Sequence, residues 1–343
     1  MKVLITGGAG FIGCNLADRL LTQGQLVTIF DNLSRPGTPQ NVAWLRECHQ
    51  ERVRLVEMDI RDAQAVTRVC QGVDVIYHLA AQTAVTMSVE NPRTDFAINA
   101  LGTLNVLEAA RACGSNPIVI FASTNKVYGQ LDNLPVKRFA TRYVFADGRI
   151  GIDETQPMDF HSPYGCSKGA ADQYVRDYAR IYGLRTVVFR QSCIYGPRQL
   201  GNEDQGWAAW FVIAACAGKP VTIYGDGKQV RDLLHINDLL DAFQIAVNRI
   251  EVAVGQVYNI GGGMNNTLSV WAELGPLLEE LVGHPIEVSY ADWRPGDQRI
   301  YVSDISKAER ELHWRPRIGA REGITDLVAL FSQNCNNGCR HNT

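Results

Sequence analysis

The sequence predicts an α/β protein in which a doubly wound parallel sheet carries a second, smaller C-terminal lobe. Three observations lead to this prediction: short β-branched runs alternate with helical patterns, a glycine-rich turn follows the first run, and the alternation loosens after about residue 190. Strands and helices in alternation indicate parallel strands covered by helices on both faces. Such sheets bind ligands at the carboxyl ends of their strands, so we expect a site in the cleft between the lobes.

The individual elements follow from the spacing of apolar residues. Short apolar runs predict the strands of the sheet, at residues 3–5, 26–30, 53–56, 75–77, 118–121 and 186–189. Apolar residues that recur about every 3.6 positions predict helices, at residues 14–23, 101–112, 170–181, 207–217, 237–249 and 268–282. We place the first domain at residues 1–190, with some later segments returning to it, the substrate-binding lobe at 191–330, and a polar tail at 331–343.

The composition is that of an ordinary soluble globular protein. Of 343 residues 46% are hydrophobic, and the formal net charge of −3 gives no reason to expect nucleic acid as a partner. No apolar run is long enough to cross a bilayer, and no signal-peptide pattern follows Met1, so we expect a cytoplasmic protein without membrane contacts. Nine scattered cysteines favour free thiols. Cys335 and Cys339 lie close together, but two ligands cannot close a zinc site, so we expect no metal ion.

The glycine-rich turn predicts a dinucleotide site. Residues 6–13 read TGGAGFIG and lie between the first strand and the first helix. Gly7, Gly10 and Gly13 suit a sharp turn, the approach of a pyrophosphate to the backbone, and the packing of helix on strand. Phe11 and Ile12 lead into the helix, whose N-terminus then faces the phosphates.

The end of the second strand favours NAD over NADP. Asp31 stands eighteen residues after Gly13, where a carboxylate accepts hydrogen bonds from the adenosine ribose hydroxyls and repels a ribose phosphate. We place Asn32 beside it in the cofactor site. Two alternatives remain: Asp31 as a solvated turn residue, and Arg35 as a cation that would accept NADP.

Two side chains at helical spacing form the predicted catalytic pair. Tyr164 and Lys168 stand four apart, which places both on one face of a helix. A free tyrosine has a pKa of about 10, and lowering it to about 7 needs roughly 4 kcal/mol, which a lysine and a positive nicotinamide ring could supply. Thr124, at the carboxyl end of a strand, would hold the substrate oxygen whose proton Tyr164 removes. The tyrosine–lysine spacing alone is common by chance, but together with the glycine turn and Asp31 it indicates catalysis.

With these motifs the chain resembles the extended short-chain dehydrogenase/reductases, in the branch of NAD-dependent epimerases and dehydratases. The resemblance implies a Rossmann-type domain that holds NAD, a homodimer or tetramer paired through helices, and contacts of Tyr164 and Lys168 with the cofactor. It implies further cofactor contacts in the first domain: Asp59 and Ile60 at the adenine, Leu79, Ala80 and Ala81 at the pyrophosphate, and Asn99 in support of the active-site helix.

The residues after Thr124 favour one reaction over another. An ordinary sugar carbon bears no acidic hydrogen, so a base cannot invert it, whereas oxidation by NAD and return of the hydride to the other face can. The dehydratases of the family carry an Asp-Glu pair directly after the threonine to eliminate water. Asn125 and Lys126 occupy those positions here, which predicts an epimerase, hence an isomerase.

Four segments narrow the resemblance, at residues 123–129, 159–174, 204–207 and 227–232. They resemble the CDP-tyvelose 2-epimerase family, also called CDP-paratose 2-epimerases, over the chain from Met1 to about residue 330. The resemblance implies a CDP-linked deoxyhexose as substrate and the interconversion of CDP-paratose and CDP-tyvelose through a transient ketone at carbon 2. Such a reaction belongs to the synthesis of bacterial surface polysaccharides.

The candidate substrate contacts come from both domains. Arg231 and Arg294 suit a diphosphate because a guanidinium binds phosphate oxygens in a fork; the alternative is that both are surface arginines in turns. The other candidate substrate residues are Gln82, Thr86, Thr124, Asn125 and Gln205.

Departures from the family pattern leave alternatives open. Cys193 stands where many relatives have an asparagine that contacts the diphosphate, and residues 130–153 form a long insertion, either a loop on the substrate side or a surface addition. The same triad would serve a UDP-sugar 4-epimerase or a GDP-hexose 2-epimerase. Outside the enzymes, a non-catalytic NAD-binding sensor would need the glycine turn but not Tyr164.

Overall fold

The computed structural model describes residues 1–203, 205–294 and 296–338. The strands are β1 Lys2–Thr6, β2 Leu26–Asp31, β3 Arg54–Glu57, β4 Val75–His78, β5 Ile118–Thr124, β6 Val136–Arg138, β7 Tyr143–Phe145, β8 Arg185–Gln191, β9 Cys193–Tyr195, β10 Val221–Tyr224, β11 Val230–His235, β12 Val257–Ile260, β13 Thr267–Ser269, β14 Val288–Ala291 and β15 Ile300–Tyr301. The α-helices are α1 Phe11–Thr22, α2 Thr38–His49, α3 Ala63–Val69, α4 Val85–Glu90, α5 Pro92–Phe96, α6 Gly102–Ala112, α7 Pro163–Tyr182, α8 Trp207–Cys216, α9 Ile236–Asn248, α10 Ile250–Ala253, α11 Leu274–Val282, α12 Ser306–Leu312 and α13 Ala320–Gly338. A π-helical turn, Ala97–Leu101, joins α5 to α6.

The central sheet confirms the predicted fold class. Its seven strands run in the order β3-β2-β1-β4-β5-β8-β12, and every neighbouring pair is parallel. The strand order reverses direction between β1 and β4. A crevice opens at such a reversal, at the carboxyl ends of the strands, and this is where ligands of open α/β sheets bind.

Helices cover both faces of the sheet, as doubly wound sheets require. One face packs on α1, α2 and α9 through side chains such as Leu16 and Phe243, which are fully buried. The other packs on α3, α6 and α7 through side chains such as Val106 and Val175. Helix α9 and strand β12 come from beyond residue 190, so part of the later chain completes the first domain.

The second lobe has its own core. Strands β13, β11, β15 and β9 form a small mixed sheet, and β10 pairs with β14. Helices α8, α11 and α13 enclose a cluster that includes Phe211, Leu274 and Ile324. The lobe adjoins the carboxyl ends of the main strands because β9 follows β8 after a single residue.

Local chemistry explains where the helices differ from their predicted limits. Helix α7 begins at Pro163, so it includes Tyr164 and Lys168 as predicted, because the Ser162 side chain caps it by accepting from the backbone N–H of Gly165 at 3.0 Å. The predicted helix at 268–282 begins only at Leu274, since the residues before it enter β13. Helix α13 extends into the predicted polar tail as far as Gly338, and Cys339 lies outside the described residues. Within the described chain, no helix is both long and apolar enough to span a membrane.

The insertion at residues 130–153 folds into an antiparallel hairpin, β6–β7, that packs on the second lobe. The Arg142 guanidinium forms an ion pair with Glu273, its Nε donating at 2.7 Å. The Tyr143 hydroxyl donates to Asp226 at 2.9 Å. The hairpin therefore connects the chain just after the turn Asn125–Tyr128 to the second lobe.

Candidate active site

The glycine turn sits between β1 and α1, and steric contact explains its glycines. Gly7 has a φ of +69°, and a Cβ there would lie 2.6 Å from the backbone nitrogen of Ala80. A Cβ on Gly13 would overlap the carbonyl oxygen of Gly7. Gly10 precedes α1 and donates its N–H to that same oxygen at 3.1 Å. The glycine turn thus lies directly against the backbone after β4, and the first turn of α1, with Phe11 and Ile12, packs on the glycine turn.

Replacing Gly13 by alanine is expected to weaken NAD binding by at least about tenfold, because the added methyl must push the turn away from the helix that faces the pyrophosphate. Equilibrium dialysis with NAD measures the change. Gly319→Ala is the matched control, since its Cβ would find ordinary contacts at 3.9 Å or more. Equal NAD affinity in the two variants would contradict this account of the turn.

The residues predicted for the adenosine side gather at the ends of β2 and β3. The Asp31 carboxylate accepts from the backbone N–H groups of Ala9 at 3.0 Å and Leu33 at 2.9 Å, and its burial raises the pKa. The Asn32 side chain donates to Asp59 at 2.8 Å.

The same end of the sheet holds the other predicted cofactor residues. Arg61 forms an ion pair with Asp59 and holds the pKa of that carboxyl below its usual range. Ile60 packs on α6 at Gly102. After β4, the N–H groups of Leu79 and Ala80 donate to Thr6, and Ala81 follows them in the same loop.

Arg35 lies within electrostatic range of Asp31 and also extends along the crevice. Its Nη1 donates to the Thr83 hydroxyl at 3.0 Å, so the side chain crosses from the loop after β2 to the loop after β4. Its charge lies close enough to Tyr164 to lower the pKa of that phenol. The structure thus places Arg35 toward the catalytic end of the crevice.

The three predicted catalytic side chains meet where β5 approaches α7. Thr124 ends β5, Tyr164 lies in the first turn of α7, and Lys168 lies one turn further. Burial raises the pKa of Tyr164 to about 12, although a hydrogen bond with the Thr124 side chain lowers it. Burial also lowers the pKa of Lys168 to about 7.

Lys168 lies on the same helix as Tyr164, one turn further along, and its amine binds a backbone carbonyl. The Lys168 Nζ donates to the carbonyl oxygen of Ala122 at 2.6 Å and lies 4.2 Å from the centre of the Phe121 ring. Burial therefore dominates the pKa of Tyr164, and its predicted lowering requires further positive charge in the crevice.

A buried polar network orients the catalytic helix, and the π-helical turn supplies its centre. The Asn99 amide donates to Ser167 at 3.1 Å and to the carbonyl oxygen of Gln82 at 3.0 Å. Asp95 accepts from Ser167 at 2.5 Å and from the Gln82 side chain at 3.1 Å. Asn99 thus contacts α7 directly. Gln82, predicted to contact the sugar, uses its amide within this network, a role that its neighbours in sequence do not reveal.

Three charged residues, Lys126, Arg231 and Asp297, connect the turn after Thr124 to the second lobe. We call these three residues the charged joint. The Arg231 Nη2 donates to Asp297 at 2.5 Å, and the Lys126 Nζ lies 3.8 Å from the same carboxylate oxygen. Lys126 also donates to the carbonyl oxygen of Gly296 at 3.2 Å. The two cations keep the pKa of Asp297 below its usual value despite burial. Asp297 was not predicted from the sequence. The one indication was that it lies three residues after the candidate Arg294.

The remaining candidates line the space around this joint. Asn125 donates to the Gln298 side chain at 3.5 Å. The Arg294 guanidinium lies 3.9 Å from the centre of the Tyr224 ring. Cys193 accepts from the Trp207 indole at 3.3 Å, and burial raises the pKa of its thiol.

Two candidates carry oxygens without a hydrogen-bond partner in the described part of the chain. These are the buried Thr86 hydroxyl and the Gln205 side-chain oxygen. Gln205 lines a small cleft with Gly10 and Arg35, beside the start of α1. Among the described residues, no group of three or more His, Cys, Asp or Glu side chains could hold a metal ion.

The fold and the site together define a class of protein. A parallel sheet with a reversal at β1 and β4, a glycine turn at that reversal, and a threonine, tyrosine and lysine at its edge are the parts of a short-chain dehydrogenase/reductase. Such a site suits hydride transfer between a dinucleotide and an alcohol carbon.

Comparison with known proteins identifies the family. Residues 4–327 match the family described as GDP-mannose 4,6 dehydratase. A CDP-paratose 2-epimerase from Salmonella typhi is 46% identical over 95% of this chain and 98% of its own length. The chain belongs to this family of NAD-dependent nucleotide-sugar epimerases and dehydratases, which confirms the resemblance seen in the sequence.

Solved structures agree with the fold. The UDP-glucose 4-epimerase of Thermotoga maritima, solved with UDP-glucose, has a TM-score of 0.83 and 33% identity, covering 98% of this chain and 100% of that one. The UDP-glucose 4-epimerase of Thermus thermophilus, in complex with NAD, has a TM-score of 0.81 and 34% identity, covering 96% and 99%. The Rossmann-type architecture predicted from the sequence is therefore confirmed.

Proposed function

We propose that the chain is an NAD-dependent nucleotide-sugar 2-epimerase that interconverts CDP-paratose and CDP-tyvelose. One observation carries the proposal: Thr124 meets Tyr164 at the end of β5, while Asn125 and Lys126 follow it where dehydratases of the family carry acids. The 46% identity with a CDP-paratose 2-epimerase supports the choice of sugar and nucleotide. An epimerase of another nucleotide sugar is the second candidate, because two structural relatives act as UDP-glucose 4-epimerases.

The residues at the crevice fit NAD. Gly7, Gly10 and Gly13 bring the backbone close to a pyrophosphate, and Asp31 stands where a ribose would present its hydroxyls. When bound, NAD supplies a hydride acceptor that becomes the hydride donor of the return step.

The chain's own side chains move the proton. Thr124 holds the substrate hydroxyl, and Tyr164 takes its proton during oxidation and gives it back during reduction. Bringing the pKa of this phenol from about 12 to neutrality needs roughly 7 kcal/mol of preferential stabilisation of the phenolate. Lys168, Arg35 and an oxidised nicotinamide ring are the positive charges available for it.

The residues after Thr124 keep the ketone from losing water. Elimination needs one group that removes a proton and another that donates one, roles that the resemblance assigns to a carboxyl pair in the dehydratases of the family. Asn125 carries no titratable group, and the Lys126 ammonium is held by Gly296 and Asp297. The ketone therefore persists until the hydride returns to the opposite face.

Substrate recognition is assigned to residues of both domains, with the diphosphate at the second lobe. Arg231 and Arg294 would bind the diphosphate, because their guanidinium groups offer paired donors to phosphate oxygens. Thr86 and Gln205 would bind sugar or nucleotide hydroxyls, because each presents a buried oxygen without a described partner.

We also propose the predicted homodimer or tetramer in a cytoplasmic setting. The outer surface of α4 to α7 carries large apolar side chains that are more than a third exposed, which favours contact with a second copy. These are Met87, Val89, Phe96, Leu101, Tyr174, Ile181 and Tyr182.

The hydride route has an isotopic signature. The purified protein is expected to carry NAD and to interconvert CDP-tyvelose and CDP-paratose in deuterated water without taking up deuterium at carbon 2, because hydride transfer through NAD exchanges no proton there. Nuclear magnetic resonance of the product measures the label. Deuterium at carbon 2 would indicate proton abstraction and refute the route.

A panel of CDP, UDP and GDP sugars separates the two candidate substrates under the same conditions. The CDP-linked 3,6-dideoxyhexoses should turn over fastest. Faster turnover of a UDP- or GDP-sugar would replace the proposed substrate but keep the reaction class.

A further inference from the structure

A second cleft lies away from the active site, at the outer edge of the main sheet. It has a volume of about 470 Å³ and borders the start of β12, the middle of α7 and the beginning of α12. None of the residues assigned above to catalysis, cofactor or substrate lines it. The proposed epimerase activity therefore leaves this cleft without a role.

Four cationic side chains line the cleft, and two of them form no ion pair with a carboxylate of the described chain. Arg190 is committed to a buried ion pair with Asp172, and Arg310 lies 3.2 Å from an oxygen of its neighbour Glu311. The remaining two, Arg176 and Lys307, come from different helices and are both half-buried.

Arg176 has the clearest need for an acceptor. Its Nη1 donates weakly to Gln173 at 3.4 Å, and its Nε is buried without a hydrogen-bond partner in the described chain. Lys307 donates to the side chain of Gln256 at 3.0 Å and to the carbonyl oxygen of Val257 at 2.9 Å, both uncharged acceptors. Burial lowers the pKa of both cations. For Lys307 the carboxylates of Glu311 and Glu154 oppose this lowering, and the charge of Arg176 adds to it, so the two cations repel each other across the cleft.

The acidic residues of the cleft are occupied by the protein's own backbone. Asp153 accepts from the N–H of Thr155 at 2.8 Å, and Asp304 accepts from the N–H of Ser306 at 2.9 Å. Glu154 accepts from the N–H of Asn259 at 2.6 Å and so covers the open edge of β12. These contacts hold two turns and a strand edge, whereas the Arg176 Nε has no hydrogen-bond partner in the described chain.

We propose that this cleft binds a phosphate-bearing small molecule, held between Arg176 on α7 and Lys307 on α12. A guanidinium with a buried, unused N–H matches phosphate oxygens, and an ammonium opposite it neutralises a second charge. The volume admits a ligand of several phosphate groups or a nucleotide. Arg190 extends from the cleft to Asp172, so an occupant would contact the same ion pair that anchors the catalytic helix.

Inorganic pyrophosphate is the probe, titrated calorimetrically into protein saturated with NAD and CDP so that the catalytic crevice is filled. One further pyrophosphate is expected to bind per chain. Arg176→Gln should weaken this binding at least tenfold, because it removes a charge-assisted donor. Arg180→Gln is the matched control, since Arg180 is exposed one turn further along α7 and outside the cleft.

Lys307→Gln tests the opposite wall of the cleft. If Arg176→Gln and Lys307→Gln both weaken pyrophosphate binding, the ligand binds in the cleft, and the effect of Arg176→Gln is not due to a change in α7 alone. Circular dichroism confirms that each variant is folded. Equal affinity in Arg176→Gln and Arg180→Gln, or no binding to the unaltered protein, would overturn the proposal. Tighter binding of citrate than of pyrophosphate would refute the phosphate class. Sugar turnover does not enter these readouts, so failure here is distinct from failure of the epimerase assignment.

Discussion

Replacing Tyr164 by phenylalanine is expected to lower turnover by about 10³-fold while NAD stays bound. Phenylalanine keeps the ring that fills the buried space at the start of α7 but removes the hydroxyl that meets Thr124. The substrate alcohol then has no group to take its proton, so hydride transfer stalls. Turnover is measured by magnetic resonance of the sugar, and bound NAD by its release on denaturation.

The control for this prediction lies in the second lobe. Tyr290→Phe removes a hydroxyl from a tyrosine on β14 that is 62% exposed and has no assigned role in the site. It should turn over like the unaltered protein. If Tyr164→Phe also kept full turnover, the phenol would lose its assigned role, and a loss of bound NAD would indicate a structural effect instead.

The largest expected effect on stability comes from the buried pair beneath the catalytic helix. Asp172 is fully buried on α7 and accepts from Arg190 twice, both at 2.9 Å, and from Ser123 at 2.8 Å. These bonds join α7 to β8 and β5. Asp172→Asn leaves the Arg190 charge buried without its counter-ion, and we expect the free energy of unfolding to fall by about 3 kcal/mol.

Urea unfolding followed by circular dichroism measures this loss. Asp177→Asn, an exposed change of the same kind five residues along α7, should leave the midpoint unchanged. A double variant, Asp172→Leu with Arg190→Met, should recover much of the stability because no charge remains to be buried. A midpoint for Asp172→Asn equal to that of Asp177→Asn would show that the pair contributes little.

The cofactor turn and the catalytic side chains could be predicted because their signals are local. The glycine spacing depends on a turn between one strand and the next helix, and four residues along a helix bring Tyr164 and Lys168 onto one face. The parallel sheet with helices on both faces follows from the alternation of strands and helices. These rules need only short stretches of chain.

The rest depends on residues that meet across long sequence separations. Arg231 and Asp297 are 66 residues apart, and Lys126 and Gly296 are 170 apart. No local spacing in the sequence therefore predicts the charged joint. The spacing of Tyr164 and Lys168 does not reveal the burial of the phenol or the carbonyl that holds the lysine, because both are set by packing. The sequence located the insertion at residues 130–153, but it did not predict which residues of the second lobe the insertion contacts.

The β6–β7 hairpin affects how chimaeras of this protein must be built. An exchange of residues 191–330 for those of a relative would remove Asp226 and Glu273, the anchors of Tyr143 and Arg142. The stretch just downstream of Thr124 would then be tethered to a foreign surface. A functional chimaera must therefore exchange residues 130–153 together with residues 191–330. Transfer of substrate specificity then requires two separate segments of the coding sequence.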